Sequence, residues 1–326
     1  MKKINELNNT VSSTDLVVRL EKVIVSTATN GSSYLILNLS DKTGRVEARK
    51  WTVTDEDKQL LQPNAFVLFK NAAVNEFRGV LQLKVSEYSI LSEDDLNHFG
   101  LEGKDFFIEA PINIEKNYAE LMTILEGLTN QTYRDLTIGL IKKYEKEFLT
   151  YPAAMSIHHN VKGGLFWHSF TLVKNALALK PSYAYASIDW ELLICGAILH
   201  DIGKVIEIID PTGTDYSLQG KVIGHISIGN TELNKIAEEL KIYKDEQGNI
   251  NESLTLLQHM IIASHGKKEY GSPTEPVIIE AIMLSMFDDL DAKVFKINDE
   301  LNKVEHKTWT PRIISVDGKM FYKHKK

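Results

Sequence analysis

From about Asp15 to Leu91, apolar residues recur at alternate positions in short runs separated by turn residues. Leu16–Val25 carries Val18, Leu20, Val23 and Val25, and Ser33–Leu39 follows a turn at Asn30-Gly31. Arg45–Trp51 follows the turn Asp41-Lys42-Thr43-Gly44. It sets Val46, Ala48 and Lys50 on one side and Arg45, Glu47, Arg49 and Trp51 on the other. Phe66–Val74 and Val80–Ile90 are split by Arg78-Gly79. A period of two marks strands, and five such runs predict a small barrel or sandwich. Beyond about residue 115 the period lengthens. Tyr118–Leu128, Tyr133–Leu149, His168–Leu179, Glu191–Leu199, Thr231–Tyr243, Ser253–Ser264 and Glu280–Val294 read as helices. In the second of these, Leu136, Leu140, Tyr144 and Phe148 line one face.

The pattern divides the chain into a strand-rich part (1–91), a connector (92–115) with the acidic run Glu93-Asp94-Asp95 and Pro111, a helical part (116–300) and a tail (301–326). The polar helical stretch Thr54–Leu61 lies between the third and fourth strands, where a five-stranded OB barrel often has its helix. The expected class is α+β multidomain, a small N-terminal β-barrel of OB type followed by an all-α domain.

Composition narrows the function. With 43% hydrophobic and 25% charged residues in 326, the chain is a folded protein and not a mainly disordered one. The single cysteine, Cys195, excludes an intrachain disulfide and a Cys-based zinc cluster. The longest apolar runs are too short to span a bilayer, and MKKINELNNT has no apolar core of a secretory signal, so the expected setting is the cytoplasm, with no membrane partner. The net charge of −7 argues against nucleic-acid binding through one large basic surface. The tail runs the other way, with seven Lys/Arg and two Asp/Glu from Asn302 to Lys326. It reads as a solvated terminus or as a contact for an anion.

Seven of the ten histidines lie between His158 and His265. The sharpest motif is Leu199-His200-Asp201-Ile202-Gly203-Lys204, in which an apolar helix runs into adjacent His and Asp. A buried imidazole and carboxylate each need a partner, and a divalent metal satisfies both. His168, at the start of a helix after Gly163-Gly164, adds a nitrogen. Asp288, in Phe287-Asp288-Asp289-Leu290-Asp291, adds a carboxylate, with Asp291 three positions on and on the same face. His225 and His265 suit a second ion, with Asp201 bridging. The ligand types admit Mn²⁺, Co²⁺, Fe or Zn²⁺.

His168, His200-Asp201 and Asp288 resemble the H…HD…D signature of HD-domain phosphohydrolases, and His225 and His265 resemble its binuclear members. The runs HHNVKGGLFWHS (His158–Ser169), LHDIGK (Leu199–Lys204), GHISIG (Gly224–Gly229), HGKKEYGSP (His265–Pro273) and FDDLDAK (Phe287–Lys293) are similar to the YhaM family of bacterial 3′→5′ exoribonucleases, in which an OB-type domain precedes an HD domain. No Gly-Tyr-Pro follows His265, unlike the cyclic-dinucleotide enzymes.

The resemblance implies metal-dependent hydrolysis of single-stranded RNA to nucleoside 5′-monophosphates, with single-stranded DNA as a secondary substrate and two divalent ions, Mn²⁺ favoured. Lys204 and His159 join Asp201 as candidate catalytic groups. His158 and Lys204 are candidate phosphate contacts. In the strand part, Tyr34, Trp51 and Phe77 are candidate base platforms with Arg49 beside them, although a core position is the stronger reading of each aromatic. Residues 1–100 hold 12 Lys/Arg against 13 Asp/Glu, so composition marks no basic patch there. Two other readings share these residues: an HD-type nucleotide or cyclic-dinucleotide phosphohydrolase, and a non-catalytic nucleic-acid-binding protein. A homo-oligomer stays open.

Overall fold

The computed structural model describes residues 1–325 except Asn30, Arg78, Gly79, residues 155–158, Asp210 and residues 212–214. The chain divides into two compact units. One is Met1–Glu109 with Asp299–Lys326, and the other is Ala110–Asn298.

The first unit is built on a sheet. Its strands are β1 (Ser13–Thr27), β2 (Ser33–Asp41), β3 (Gly44–Lys50), β4 (Phe66–Phe77), β5 (Val80–Lys84) and β6 (Glu87–Leu91), with α1 (Asp55–Leu60) between β3 and β4 and α2 (Glu93–His98) after β6. The pairings run β1–β2–β3–β5–β4 and return from β4 to β1; β6 also lies on β4. The long β1 makes this return possible. Its first half pairs with β4 (Val17 opposite Leu68), and its second half pairs with β2 (Val25 opposite Leu35). A bulge between Leu20 and Lys22 re-aims the strand between the two partners. Alternation then does what the sequence predicts. Leu16, Val18, Leu20, Leu35, Leu37, Leu39, Val46, Ala48, Val67, Phe69 and Leu83 share one apolar core.

The run Val80–Ile90, expected as one strand, is interrupted and appears as β5 and β6. Both segments keep the same antiparallel register on β4, with Lys84 opposite Ala73 and Glu87 opposite Lys70. The gap lies opposite Asn71, whose φ is 48° and whose N–H turns to donate to Asp15 Oδ1 at 2.8 Å. A left-handed residue cannot continue the ladder.

Lys50 points inward, as its alternation requires, and is buried. Its Nζ donates to Asp57 Oδ2 at 2.9 Å and to the Thr52 carbonyl at 2.7 Å. Asp57 also receives the Tyr88 hydroxyl at 2.9 Å and the Thr54 N–H at 2.8 Å, which caps α1. Burial raises the Asp57 pKa, but the bonds from Thr54, Lys50 and Tyr88 outweigh it and bring it from 3.8 to about 2. A carboxylate depressed on folding stabilises the fold fully above its unfolded pKa, and that contribution fades as pH falls through the folded value. The stability advantage of wild type over Asp57→Asn is therefore expected to shrink by about 2 kcal/mol between about pH 5 and about pH 2. Urea unfolding of both proteins across that range measures it. A gap independent of pH would show that Asp57 is not so paired.

The second unit is helical: α3 (Ile114–Glu126), α4 (Gln131–Lys143), α5 (Glu145–Thr150), α6 (Gly164–Leu179), α7 (Trp190–Leu199), α8 (Lys204–Glu207), α9 (Leu218–Ile223), α10 (His225–Glu239), α11 (Glu252–Ile262) and α12 (Ile279–Asn302), whose last residues belong to the first unit. The helix expected over Tyr133–Leu149 breaks at Tyr144, where φ is −121° and ψ 28°, and the Tyr144 hydroxyl donates to Glu232 at 2.6 Å. From Leu192 to Leu199, α7 is buried at every position, as an all-apolar helix must be. Its N-terminus is capped by the Asp189 side chain, which accepts from Leu192 N–H. Packed on α6, it presents its C-terminal His200 and Asp201 beside His168. Among the described residues no helix is long and apolar enough to cross a membrane.

Candidate metal centre

Six side chains from five segments converge in the helical unit. His168 lies in the second turn of α6, and His200 and Asp201 lie at the end of α7. His225 opens α10, His265 follows α11, and Asp288 sits within α12. His168, His200 and Asp201 are fully buried, and Asp288 nearly so.

They form two nests that share Asp201. In the first, His168 Nε2 and His200 Nε2 are 3.2 Å apart. Asp288 Oδ1 is 3.2 Å from the former, and Asp201 Oδ2 is 3.3 Å from the latter. In the second, His225 Nε2 and His265 Nε2 are 3.1 Å apart, with Asp201 Oδ1 at 3.3 Å from His225. The two oxygens of one carboxylate thus face different nests.

The opposite edge of each ring decides what the nests can hold. His168 Nδ1 is 2.6 Å from Asp291 Oδ2, and His200 Nδ1 is 2.9 Å from the Ala197 carbonyl. His225 Nδ1 is 3.2 Å from Glu207, and His265 Nδ1 is 2.9 Å from Asp288 Oδ2. Each of these acceptors draws the ring proton to Nδ1 and leaves a lone pair on Nε2. Two pairs of ring nitrogens then face each other across about 3 Å, an arrangement suited to a cation between them. Among the described residues buried Asp201 Oδ1 has no hydrogen bond of good geometry, His225 Nε2 lying 3.3 Å away, which suits a cation from the carboxylate side.

The electrostatics agree. Burial alone would lower the His168 pKa, but the hydrogen bonds its ring donates to Asp288 and Asp291 raise it to about 9. His225 moves up as well: burial opposes, while Asp201 and Glu207 prevail. Asp201 is held well below the carboxylate range against its burial by Lys204 and His200, and Asp288 by His168 and His265. The nests attract positive charge in whatever form is available. A divalent ion suits their mixture of imidazole nitrogen and carboxylate oxygen.

The other sequence candidates fall as follows. Lys204 is buried, with Nζ on Asp201 Oδ2 at 2.6 Å. His159 is buried too. Its Nε2 meets Asp291 Oδ2 at 2.7 Å, and its ring lies between Trp167 and Phe295 at 4.2 and 4.6 Å. Its φ of 46° lets its carbonyl rest against Gly164, where a Cβ would come within 2.0 Å of that oxygen. His158 lies outside the described residues, as does the side chain of Phe77. His259 stands apart from the nests, accepting the Val277 N–H at 3.1 Å. Asp291 and Glu207, which orient His168 and His225, carried no assigned role from sequence. The signal for Asp291 was its place one turn after Asp288 in an apolar helix, and for Glu207 its place one turn after Lys204.

In the sheet unit, Tyr34 at the start of β2 stands opposite Trp51 just past β3, since Leu35 pairs with Lys50. The rings stack with centroids 4.6 Å apart and planes 23° apart, and the Arg49 guanidinium lies 5.8 Å from each. Trp51 is 41% exposed, so the stack has an accessible face.

Comparison with known proteins adds two findings. Residues 165–293 match the HD domain family, a span that contains all six converging residues. Over 309 residues the chain is 36% identical to the 3′-5′ exoribonuclease YhaM of Geobacillus sp. (strain WCH70), covering 95% of this chain and 91% of that one. Among solved structures, the OB domain of Ta0387 from Thermoplasma acidophilum aligns with 28% of this chain and 86% of its own (18% identity, TM-score 0.24). The mitochondrial single-stranded DNA binding protein Rim1 of S. cerevisiae aligns with 25% and 96% (18% identity, TM-score 0.22). At such scores these two likenesses carry no weight.

Proposed function

The chain belongs to the YhaM family of 3′-5′ exoribonucleases, and from that premise we propose that it shortens single-stranded RNA from the 3′ end at the His–Asp centre, releasing nucleoside 5′-monophosphates with two divalent ions bound. Single-stranded DNA is a secondary substrate, and Mn²⁺ is the favoured ion. One observation carries this reading: two pairs of facing imidazole Nε2 atoms, 3.2 and 3.1 Å apart, joined by the two oxygens of Asp201.

His168, His200, Asp288 and Asp201 Oδ2 would hold one ion; His225, His265 and Asp201 Oδ1 would hold the other. Such ions supply Lewis acidity toward a phosphate oxygen, a hydroxide near neutral pH and stabilisation of the departing O3′. The chain's own groups do the rest. Asp291 and Glu207 hold His168 and His225 in the tautomer that leaves Nε2 open. His159 fixes Asp291 from behind, so its role is to position that carboxylate. Lys204 compensates the charge of Asp201.

The sheet supports a strand-guiding role. Its pairings close from β4 back to β1, with β3 and β5 parallel, the connectivity of a five-stranded OB-type barrel. Bases would stack on Tyr34 and Trp51, with Arg49 beside them. Removing one stacking ring costs about 1–3 kcal/mol per base. Trp51→Ala is therefore expected to raise KM for a long single strand about tenfold with kcat little changed, measured by steady-state kinetics. An unchanged KM would remove Trp51 from the binding path.

The reading itself is tested with 5′-labelled single-stranded RNA in Mn²⁺. A ladder that shortens progressively from the 3′ end supports it. Internal cuts, or intact RNA beside hydrolysis of a free nucleotide, overturn it.

A further inference from the structure

The tail carries an arrangement that the centre and the sheet leave unused. Residues 304–325 fold back on themselves. Lys307 N–H donates to the Lys323 carbonyl at 2.8 Å, Lys323 N–H to Thr308 at 2.9 Å, and Thr310 N–H to Phe321 at 2.9 Å. Thr310 is fully buried, and its hydroxyl oxygen accepts the Phe321 N–H at 3.0 Å. Ile313 and Val316 are buried near the turn. This framework sets Trp309 directly opposite Tyr322 in an antiparallel bridge. The two rings lie 5.3 Å apart, yet Trp309 is 58% and Tyr322 42% exposed. An ordered hairpin that holds two large rings side by side in solvent has a surface to offer.

Charge identifies the occupant. From Asn302 to Lys326 there are seven Lys/Arg against two Asp/Glu, in a chain whose net charge is −7. Lys307, two residues before Trp309, and Lys325, three after Tyr322, are exposed. The cores of protein–protein interfaces are depleted in charge, whereas single-strand sites combine cations with stacking rings. The arrangement also repeats one in the same compact unit. Tyr34 and Trp51 stand opposite each other across β2 and β3 with Arg49 beside them. We propose that the C-terminal hairpin is a second contact for single-stranded RNA, with bases stacking on Trp309 and Tyr322 and phosphates meeting Lys307 and Lys325. The proposal rests on the exoribonuclease reading for its substrate, but its site is distinct from both the metal centre and the Tyr34–Trp51 stack.

The test uses the full chain, with EDTA present so that RNA is bound and not consumed. Fluorescence anisotropy of a labelled 30-nucleotide strand measures affinity over a range of salt. Trp309→Leu/Tyr322→Leu, which keeps apolar bulk in the hairpin, is expected to weaken binding about tenfold or more. Lys307→Gln/Lys325→Gln is expected to flatten the slope of log affinity against log salt by about 1.4, as two lost phosphate contacts would. Wild-type affinity and slope in both variants overturn the proposal. So does an unchanged affinity with loss of a wild-type oligomer on sedimentation, which would assign the ring pair to a contact between copies. Failure of the exoribonuclease reading shows separately, as wild-type protein that does not shorten RNA from the 3′ end in Mn²⁺.

Discussion

Asp201→Asn is expected to lower RNA hydrolysis by about 10³-fold or more while leaving the helical unit folded. Asp201 places one oxygen in each nest, at 3.3 Å from His200 Nε2 and 3.3 Å from His225 Nε2. The amide is nearly isosteric, but it has lost the charge, and only one of its two positions is an oxygen acceptor. One nest therefore loses a ligand, and both lose half of a shared negative charge. A loss of this size is what removal of a principal electrostatic element at a reacting phosphate produces. Buried Lys204 is left without its carboxylate partner, which by itself destabilises by about 3–5 kcal/mol. Asp288→Asn separates the two effects, because Asp288 bonds imidazoles and not the lysine. Both variants are expected to lose activity, and the Asp201 variant to lose thermal stability as well. Full activity in Asp201→Asn with normal folding would exclude the bridge.

The second large effect comes from a residue with no side chain. Gly203 lies two residues after Asp201 and immediately before α8, and its backbone touches the start of α10. A Cβ there would stand 1.9 Å from the His225 carbonyl and 2.7 Å from the Gly229 nitrogen. Both obstacles are main chain, so no rotamer change relieves them. Gly203→Ala must push α10 and the Asp201 segment apart, and His225 travels with α10. Overpacking of this kind costs about 1–3 kcal/mol of stability. A displacement of about 1 Å at a reacting centre costs about 10²-fold in rate. The variant is expected to stay folded, with RNA hydrolysis reduced about 10²-fold and the second nest's metal bound more weakly. Gly127→Ala, whose Cβ would meet nothing nearer than 3.4 Å, serves as the neutral comparison. Kinetics and metal titration of the two alanine variants decide it.

Much of this was legible in the sequence because local pattern and local chemistry agreed. The inward set Val46, Ala48 and Lys50 follows from alternation alone, and all three are buried. His200-Asp201 at the end of an apolar helix announced a partner, and the resemblance to the H…HD…D signature pointed to its other members. What could not be read depends on neighbours distant in sequence. The break opposite Asn71 is set by Asp15, 56 positions away. The break at Tyr144 accompanies a bond to Glu232, 88 positions away. Asp291 and Glu207 look like ordinary helix carboxylates until the folded chain places an imidazole Nδ1 against each. The Tyr34–Trp51 stack needed the β2–β3 register, which a turn signal at Asp41–Gly44 suggests but does not fix. The Lys204 side chain, which sequence spacing allowed to reach a phosphate, is engaged with Asp201.

The exoribonuclease reading requires that the two nests hold the ions on which RNA hydrolysis depends. It is tested most directly by stripping the protein with chelator, returning Mn²⁺ stepwise, and counting bound ions while following 5′-labelled RNA in the same samples. The expected result is no shortening by the stripped protein, full 3′→5′ shortening at two ions per chain, and fewer ions with no activity in Asp201→Asn. Shortening by the metal-free protein, or by Asp201→Asn at the wild-type rate, would contradict it.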